Sequence, residues 1–337
     1  MRRSRLALHP PANALQRSEH DPRLNRRPRA HVAEINEARS TSRGASPCLT
    51  RSSRPFRASF RTDIQASAQV FPYTSTPGRS GTGPARASAE LQRLSALDCG
   101  KNFGKDQSRW SPGVNEGKPI EFSNNCYLIR HAKGLLLWDT GIPDGVAAMP
   151  DGLATANGAI TQRRTKTVAA QLTEIGVKPA EITYVAVSHT HGDHVGNVGL
   201  FPSSTVLIQG AEYDWAMAGP NKPAFAASQT IQKLTGDHDV FGDGSVTILS
   251  TPGHTPGHQS LLVRLPKTGA LVLSGDAVHM QDNWAHKRVP SMNTSKDQTL
   301  ASLERIAKVL EERKATLWIN HDKPQSDTLR YAPAYYE

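Results

Sequence analysis

An α/β layered protein is the fold class this sequence predicts, and three observations predict it. Short β-branched or aliphatic runs such as Thr183–Ser188 and Thr205–Gln209 alternate with helical patterns such as Ser295–Arg313. Several of those runs end on His or Asp, where a rigid strand can present a ligand. Charge is also split: residues 1–89 hold 16 Arg, no Lys and 5 acids, a net +11, whereas residues 90–337 carry a net −1. The pI of 9.6 therefore belongs to the leading segment, and the neutral remainder argues against a basic nucleic-acid-binding domain.

Residues 1–89 are rich in Arg, Ser, Pro and Ala without sustained periodicity, so they bury too little apolar area to offset chain entropy. A disordered extension is expected there. Its role is open among a non-functional extension, an organellar targeting segment and a nucleic-acid arm. Residues 90–337 are long enough for one large core and form the expected catalytic domain. No apolar run approaches the roughly 20 residues of a membrane span. No secretory h-region is present, and Leu6-Ala7-Leu8 is the longest apolar stretch near the start. Cys48, Cys99 and Cys126 are too few and scattered for a disulfide framework or thiolate metal site. A reducing compartment, the cytoplasm, is the expectation.

Element by element, Tyr127-Leu128-Ile129 and Leu135–Trp138 read as strands joined by a His131–Gly134 turn, after which Asp139-Thr140-Gly141 breaks into a loop. Thr167–Ile175 reads as a helix ended by Gly176. Thr183–Ser188 is a strand running straight into His189. Thr205–Gln209 is a further strand and Ala211–Met217 a short helix. Val246–Leu249 leads into Ser250-Thr251-Pro252-Gly253-His254. Leu261–Leu265 and Leu271–Leu273 pair across Pro266–Gly269. Ser295–Arg313 is an amphipathic helix with Leu300, Leu303, Ile306, Ala307 and Leu310 at helical spacing and Ser295 as its cap. Thr316–Ile319 is the last strand and delivers His321.

The chemistry concentrates in Ser188-His189-Thr190-His191-Gly192-Asp193-His194. Three imidazoles and a carboxylate within six positions suit Zn, Fe, Mn or Co better than Mg or Ca. A catalytic ion needs about three protein ligands and an open position, so four donors in one segment point to two ions completed from elsewhere. His254, Asp276 and His321, each after a strand, are the candidates. Isolated histidines such as His131 and His238 read as surface or core residues, and His258 as a structural neighbour of the ligands.

In order along the chain, Asp139-Thr140-Gly141, the His189–His194 run, His254, Asp276 and His321 match five motifs. From about residue 91 to 325 the chain resembles the metallo-β-lactamase superfamily. The resemblance implies a four-layer αββα sandwich. It further implies that His189, His191 and His254 hold one divalent ion, that Asp193, His194 and His321 hold another, and that Asp276 bridges them. Asp139 then orients a ligand imidazole. Zinc stands first among the candidate ions.

Within the superfamily, Asp276 argues against true β-lactamases, which lack the bridging aspartate. A missing flavodoxin-like extension argues against diiron flavoproteins, and a single long helix before His321 argues against glyoxalase II-type thioesterases. Tyr184–His194, Thr251–Leu261 and the helix leading to His321 most resemble N-acyl-homoserine lactonases, which open the lactone ring of quorum-sensing signals. Attack by a hydroxide bridging the two ions is the implied mechanism, with Asp193, Asp276 and His279 as catalytic groups.

His279 is a departure, because lactonases carry a tyrosine three residues after the bridging aspartate. An imidazole N–H can donate in its place. The alternatives are a thioesterase or an aryl-ester or phosphotriester hydrolase on the same site. A small-molecule acyl lactone or other ester is the expected partner, without nucleic acid or membrane, and a homodimer is one assembly open to it. Loops 213–236 (Tyr213, Trp215, Met217, Phe225) and 279–292 (Trp284, Val289, Met292) are expected to line the pocket, with Arg288 as a headgroup or structural residue.

Overall fold

In the computed structural model, residues 92–337 are described. The extension expected over residues 1–89 and its boundary at residue 90 lie outside the described residues. One sheet has eight strands: β1 (Arg93–Gly104), β2 (Ile120–His131), β3 (Gly134–Trp138), β4 (Leu153–Thr155), β5 (Ile160–Arg163), β6 (Tyr184–Ala186), β7 (Thr205–Gln209) and β8 (Thr230–Leu234). Their spatial order is β4-β5-β1-β2-β3-β6-β7-β8. The second sheet has five: β9 (His238–Asp239), β10 (Val246–Ser250), β11 (Gln259–Leu265), β12 (Gly269–Leu273) and β13 (Thr316–Trp318), ordered β13-β12-β11-β10-β9. Helices are α1 (Val168–Glu174), α2 (Gly192–Val195), α3 (Gly210–Ala218), α4 (Gln281–His286), α5 (Lys296–Arg313) and α6 (Lys323–Ser326).

Both expected hairpins are present, with His131 opposite Gly134 and Leu265 opposite Gly269. Thr167 and Ser295 cap α1 and α5, accepting from the backbone N–H of Ala170 and Gln298. The sheets face each other through Leu94, Ile129 and Leu136 on one side and Ile248, Leu261 and Leu273 on the other. Outside the first sheet, Val168 and Leu172 of α1 join Leu128 and Val185. Outside the second, Leu303 and Ile306 of α5 join Leu262 and Val272. These are the four layers, helix, sheet, sheet and helix. With both faces covered, inner strands such as β2 and β11 are buried almost throughout.

Several expectations need correction. β1, β4, β5, β8 and β9 escaped the sequence reading because they are very short or interrupted by Gly, Lys, Asp and Asn. Ala307 faces solvent, and the inner face of α5 is filled out by Thr299 and Ser302. Cys99 and Cys126 form a disulfide. The pair was invisible without β1, whose antiparallel register places Leu97 opposite Cys126 and whose bulge between Asp98 and Lys101 brings Cys99 close, at a Cα–Cα distance of 5.7 Å. No helix among the described residues is long and apolar enough to cross a membrane.

Candidate metal centre

Strand direction decides where the ligands gather. β3, β6 and β7 are mutually parallel. β10 and β12 both run antiparallel to β11, and β13 is parallel to β12. Asp139 follows β3, His189 follows β6, and His254, Asp276 and His321 follow β10, β12 and β13. The carboxyl ends of these strands form the crevice in which α/β sheets place their sites.

All seven predicted ligands meet there, in two sets. His191 Nδ1 lies 2.9 Å from His189 Nε2 and 3.0 Å from His254 Nε2. Asp276 Oδ2 faces this set, 3.7 Å from His189 Nε2 and 3.4 Å from His254 Nε2. Its Oδ1 faces the other, 3.2 Å from His194 Nε2 and 3.1 Å from His321 Nε2. Asp193 Oδ2 closes the second set, 3.9 and 3.8 Å from the same two nitrogens. One carboxylate thus addresses both sets, one oxygen each.

These donors fit divalent ions. Two ligand atoms about 2.0–2.1 Å from a tetrahedral zinc lie about 3.4 Å apart, close to the spacings here. Three imidazole nitrogens meeting at 2.9–3.0 Å cannot all be satisfied by shared protons. Asp276 Oδ1 is buried without a hydrogen-bond partner, although two imidazoles stand beside it. A cation in each set would answer both conditions.

Electrostatics agree with neutral imidazole donors in the first set. Burial drives His189 and His254 well below the ordinary histidine value and His191 below it. In the second set burial acts the same way, but Asp276 and its neighbouring carboxylates outweigh it and raise His194 and His321. Burial opposes the charge of Asp276, yet the surrounding imidazoles, His321 first, hold it well below the carboxylate range. Asp193 is lowered by His194 and His321 against the same opposition. A cation held by the second set would compete with protons for His194 and His321.

An outer layer of contacts fixes the donors. Asp139, at φ 58°, accepts from Ser188 N–H at 2.6 Å, Ser188 Oγ at 2.9 Å and His194 Nδ1 at 2.9 Å. His321 Nδ1 donates to the Ser123 carbonyl at 2.7 Å and His254 Nδ1 to Asn293 Oδ1 at 2.9 Å. His258 has the structural place expected of it. Its Nδ1 donates to the Thr251 carbonyl, and its Nε2 accepts the Asp276 N–H at 2.8 Å. Burial pushes its pKa down to about 4, so it is neutral. Gly275, at φ +54°, is required beside it, because a Cβ there would stand 2.7 Å from His258 Nε2 and from Ser188 Cβ.

The sequence reading missed three residues in this layer. Glu212, fully buried on α3, accepts from Thr190 N–H (2.8 Å), Thr190 Oγ1 (2.7 Å) and Gly257 N–H (3.1 Å), joining the two loops that carry His191 and His254. Asn102 Nδ2 donates to Asp193 Oδ2 at 2.7 Å, and Asn124 Nδ2 to the Asp193 carbonyl at 2.8 Å. No local pattern marks them, since their partners are 22 to 91 positions away.

His279 lies 3.1 Å from Asp276 Oδ2 through Nε2 and stacks on His321 with ring centroids 5.4 Å apart. The site opens into a cavity of about 590 Å³ whose walls include Trp110, Phe122, Leu153, Ile160 and Met292. Of the residues expected to line it, Met292 does so. Tyr213 and Phe225 instead stack on each other and pack on the core. Trp284 packs beside α5, and Trp215 is exposed with its ring 6.2 Å from that of His191. Arg288 is paired with Asp282. His131 stacks on Phe241.

The sequence profile of the Metallo-beta-lactamase superfamily matches residues 119–314. The N-acyl homoserine lactonase AttM of Azorhizobium caulinodans is 34% identical over 67% of this chain and 90% of its own length. An N-acyl homoserine lactonase of Bacillus cereus is 30% identical over 68% and 93%. A solved N-acyl homoserine lactone hydrolase, with the product N-hexanoyl-L-homoserine at its catalytic metal centre, superposes with a TM-score of 0.67. It is 28% identical over 73% of this chain and 99% of its own.

Proposed function

The chain belongs to the metallo-β-lactamase superfamily, in its N-acyl homoserine lactonase family, and from that premise we propose that it is a dinuclear metal hydrolase that opens the lactone ring of N-acyl-homoserine lactones. The observation that carries this reading is Asp276, whose two oxygens face two separate donor sets at the floor of an apolar-walled cavity. Two divalent ions on these donors, zinc first among them, would supply polarisation of an ester carbonyl and a water acidic enough to lose its proton near neutral pH.

The protein's own groups then have distinct tasks. Asp193, fixed by Asn102, and Asp276, fixed through its backbone by His258, hold their carboxylates still, so little reorganisation accompanies reaction. His279 takes the place of the tyrosine of other lactonases. Its Nε2, 3.1 Å from Asp276 Oδ2, would offer an N–H to an incoming ester oxygen. Water adds to the lactone carbonyl carbon, the ring C–O bond breaks, and the departing oxygen takes a proton relayed through Asp276, giving the N-acyl homoserine. Trp110, Phe122, Leu153 and Ile160 offer apolar surface to an acyl chain.

Zinc- or cobalt-loaded protein given N-acyl homoserine lactones of several chain lengths tests this by proton release. Turnover at kcat/KM of about 10⁴ M⁻¹s⁻¹ or more is expected. Negligible turnover with two ions bound per chain overturns the lactone assignment. It would favour the second reading, a thioesterase or an aryl-ester or phosphotriester hydrolase, to which His279 in place of tyrosine points.

A further inference from the structure

Arg93, Arg164, Arg288 and Arg305 each pair with a carboxylate. Arg109 lines the catalytic cavity, and its Nε is buried without a hydrogen-bond partner. No carboxylate among the described residues forms an ion pair with it. The nearest acid in sequence, Asp106, spends Oδ1 on the backbone N–H groups of Ser108 and Gly117, at 2.9 Å each. The cost of an unmade buried bond, about 1–3 kcal/mol, falls on Nε alone; the terminal nitrogens of this half-buried residue are the donors open to an acceptor in the cavity.

Its place relative to the reacting centre is defined by an aromatic wall. Phe122 lies 6.0 Å from the His321 ring, Trp110 lies 4.7 Å from Phe122, and the Arg109 guanidinium carbon is 5.9 Å from the Trp110 ring. The wall is anchored from behind. The Arg109 carbonyl accepts from Ser291 N–H at 3.0 Å and Ser291 Oγ at 3.1 Å, and the Trp110 carbonyl from Asn283 Nδ2 at 2.8 Å. A chain whose reactive carbonyl sits between the two donor sets would run along Phe122 and Trp110 and meet Arg109 at its far end.

We propose that Arg109 forms an oxygen-binding subsite at the distal end of the catalytic cavity, selecting acyl groups that end in a carboxylate. The guanidinium fork matches a carboxylate through paired N–H donors, whereas an unsubstituted alkyl end leaves it unpaired. That the occupant is an acyl group rests on the hydrolase reading above; the subsite itself does not.

The test is therefore a binding measurement that needs no turnover. Zinc-loaded protein is titrated calorimetrically with linear dicarboxylates from six to twelve carbons and with the monocarboxylates of equal length. Both series offer one carboxylate to the metals, and only the first offers a second to Arg109. At the chain length that spans the wall, the dicarboxylate is expected to bind at least tenfold tighter than its monocarboxylate. Arg109→Met should bring that ratio to about one without weakening the monocarboxylate, and Arg109→Lys should retain part of it. Thermal melting and zinc content show whether each variant is folded and loaded. A ratio near one at every length in the wild type, or one that survives Arg109→Met, overturns the subsite. Inert lactones alongside a preserved ratio would overturn the lactone assignment and leave the subsite standing.

Discussion

Replacing Glu212 by Gln changes a single atom within a fully buried carboxylate that touches no ligand. Oε1 takes two hydrogen bonds from Thr190 and Oε2 takes one from Gly257 N–H. In the amide, an NH2 must replace one of those oxygens and so faces a backbone N–H. The least costly orientation turns it toward Gly257. That loses one charge-assisted bond, about 1.5–3 kcal/mol, and strands a buried donor, about 1–3 kcal/mol. There is little room to relax, since a Cβ on Gly257 would already collide with the Glu212 backbone. The expected loss of about 3–5 kcal/mol corresponds to a Tm lower by roughly 6–20 °C for a domain of this size. Thr190 sits between His189 and His191, and Gly257 lies on the loop that carries His254. Affinity for the first ion should therefore fall about 10- to 100-fold. Thermal melting and zinc competition against a chromogenic chelator read the two effects. A Tm within about 1 °C of wild type and unchanged zinc affinity would show that this carboxylate does not hold the loops together.

Three further outcomes are expected. Asp139→Asn weakens three hydrogen bonds around Ser188 and His194, and should lower affinity for the second ion about 10- to 100-fold while sparing the first, giving one tight zinc per chain; two equally tight zincs would contradict it. Gly275→Ala must hold a side chain at φ +54° against His258 and Ser188. The strain of about 1–2 kcal/mol adds to overpacking of about 1–3 kcal/mol in urea denaturation, and an unchanged midpoint would contradict that. Exhaustive chelation removes about 2.7 kcal/mol for each ion held at 100 times its Kd, so Tm should fall by at least about 5 °C and recover on zinc addition. An indifferent Tm would mean that the donor sets hold no metal.

The candidate ligands were legible because most are local in sequence or sit at strand ends. His189, His191, Asp193 and His194 occupy one short turn after β6, and the apolar runs of β10, β12 and β13 lead to His254, Asp276 and His321. The helices were legible from spacing and caps, as Thr167 and Ser295 show. What escaped was tertiary in origin. Asn102 and Glu212 are ordinary polar residues until folding sets them against Asp193 and Thr190. Cys99 and Cys126 are scattered thiols until β1 and β2 align. The cavity wall was misassigned for a related reason. An aromatic side chain can serve the core or the cavity whichever element bears it, and Tyr213 and Phe225 turn to the core, while Trp110 and Phe122 face the cavity.

Each donor set draws on both sheets. His189 and His191 come from the first and His254 from the second; Asp193 and His194 come from the first and His321 from the second. Neither of the two candidate sets is complete on one sheet, and the first and last candidate ligands, His189 and His321, are far apart along the chain. Completing either set requires the two sheets to have closed on each other, so capture of ions by these sets would come late in folding. Ions held by these sets would act as rivets across the seam. Opening the sandwich would then require parting ligands of both ions, so bound metal should slow separation of the layers, while an ion can leave without it.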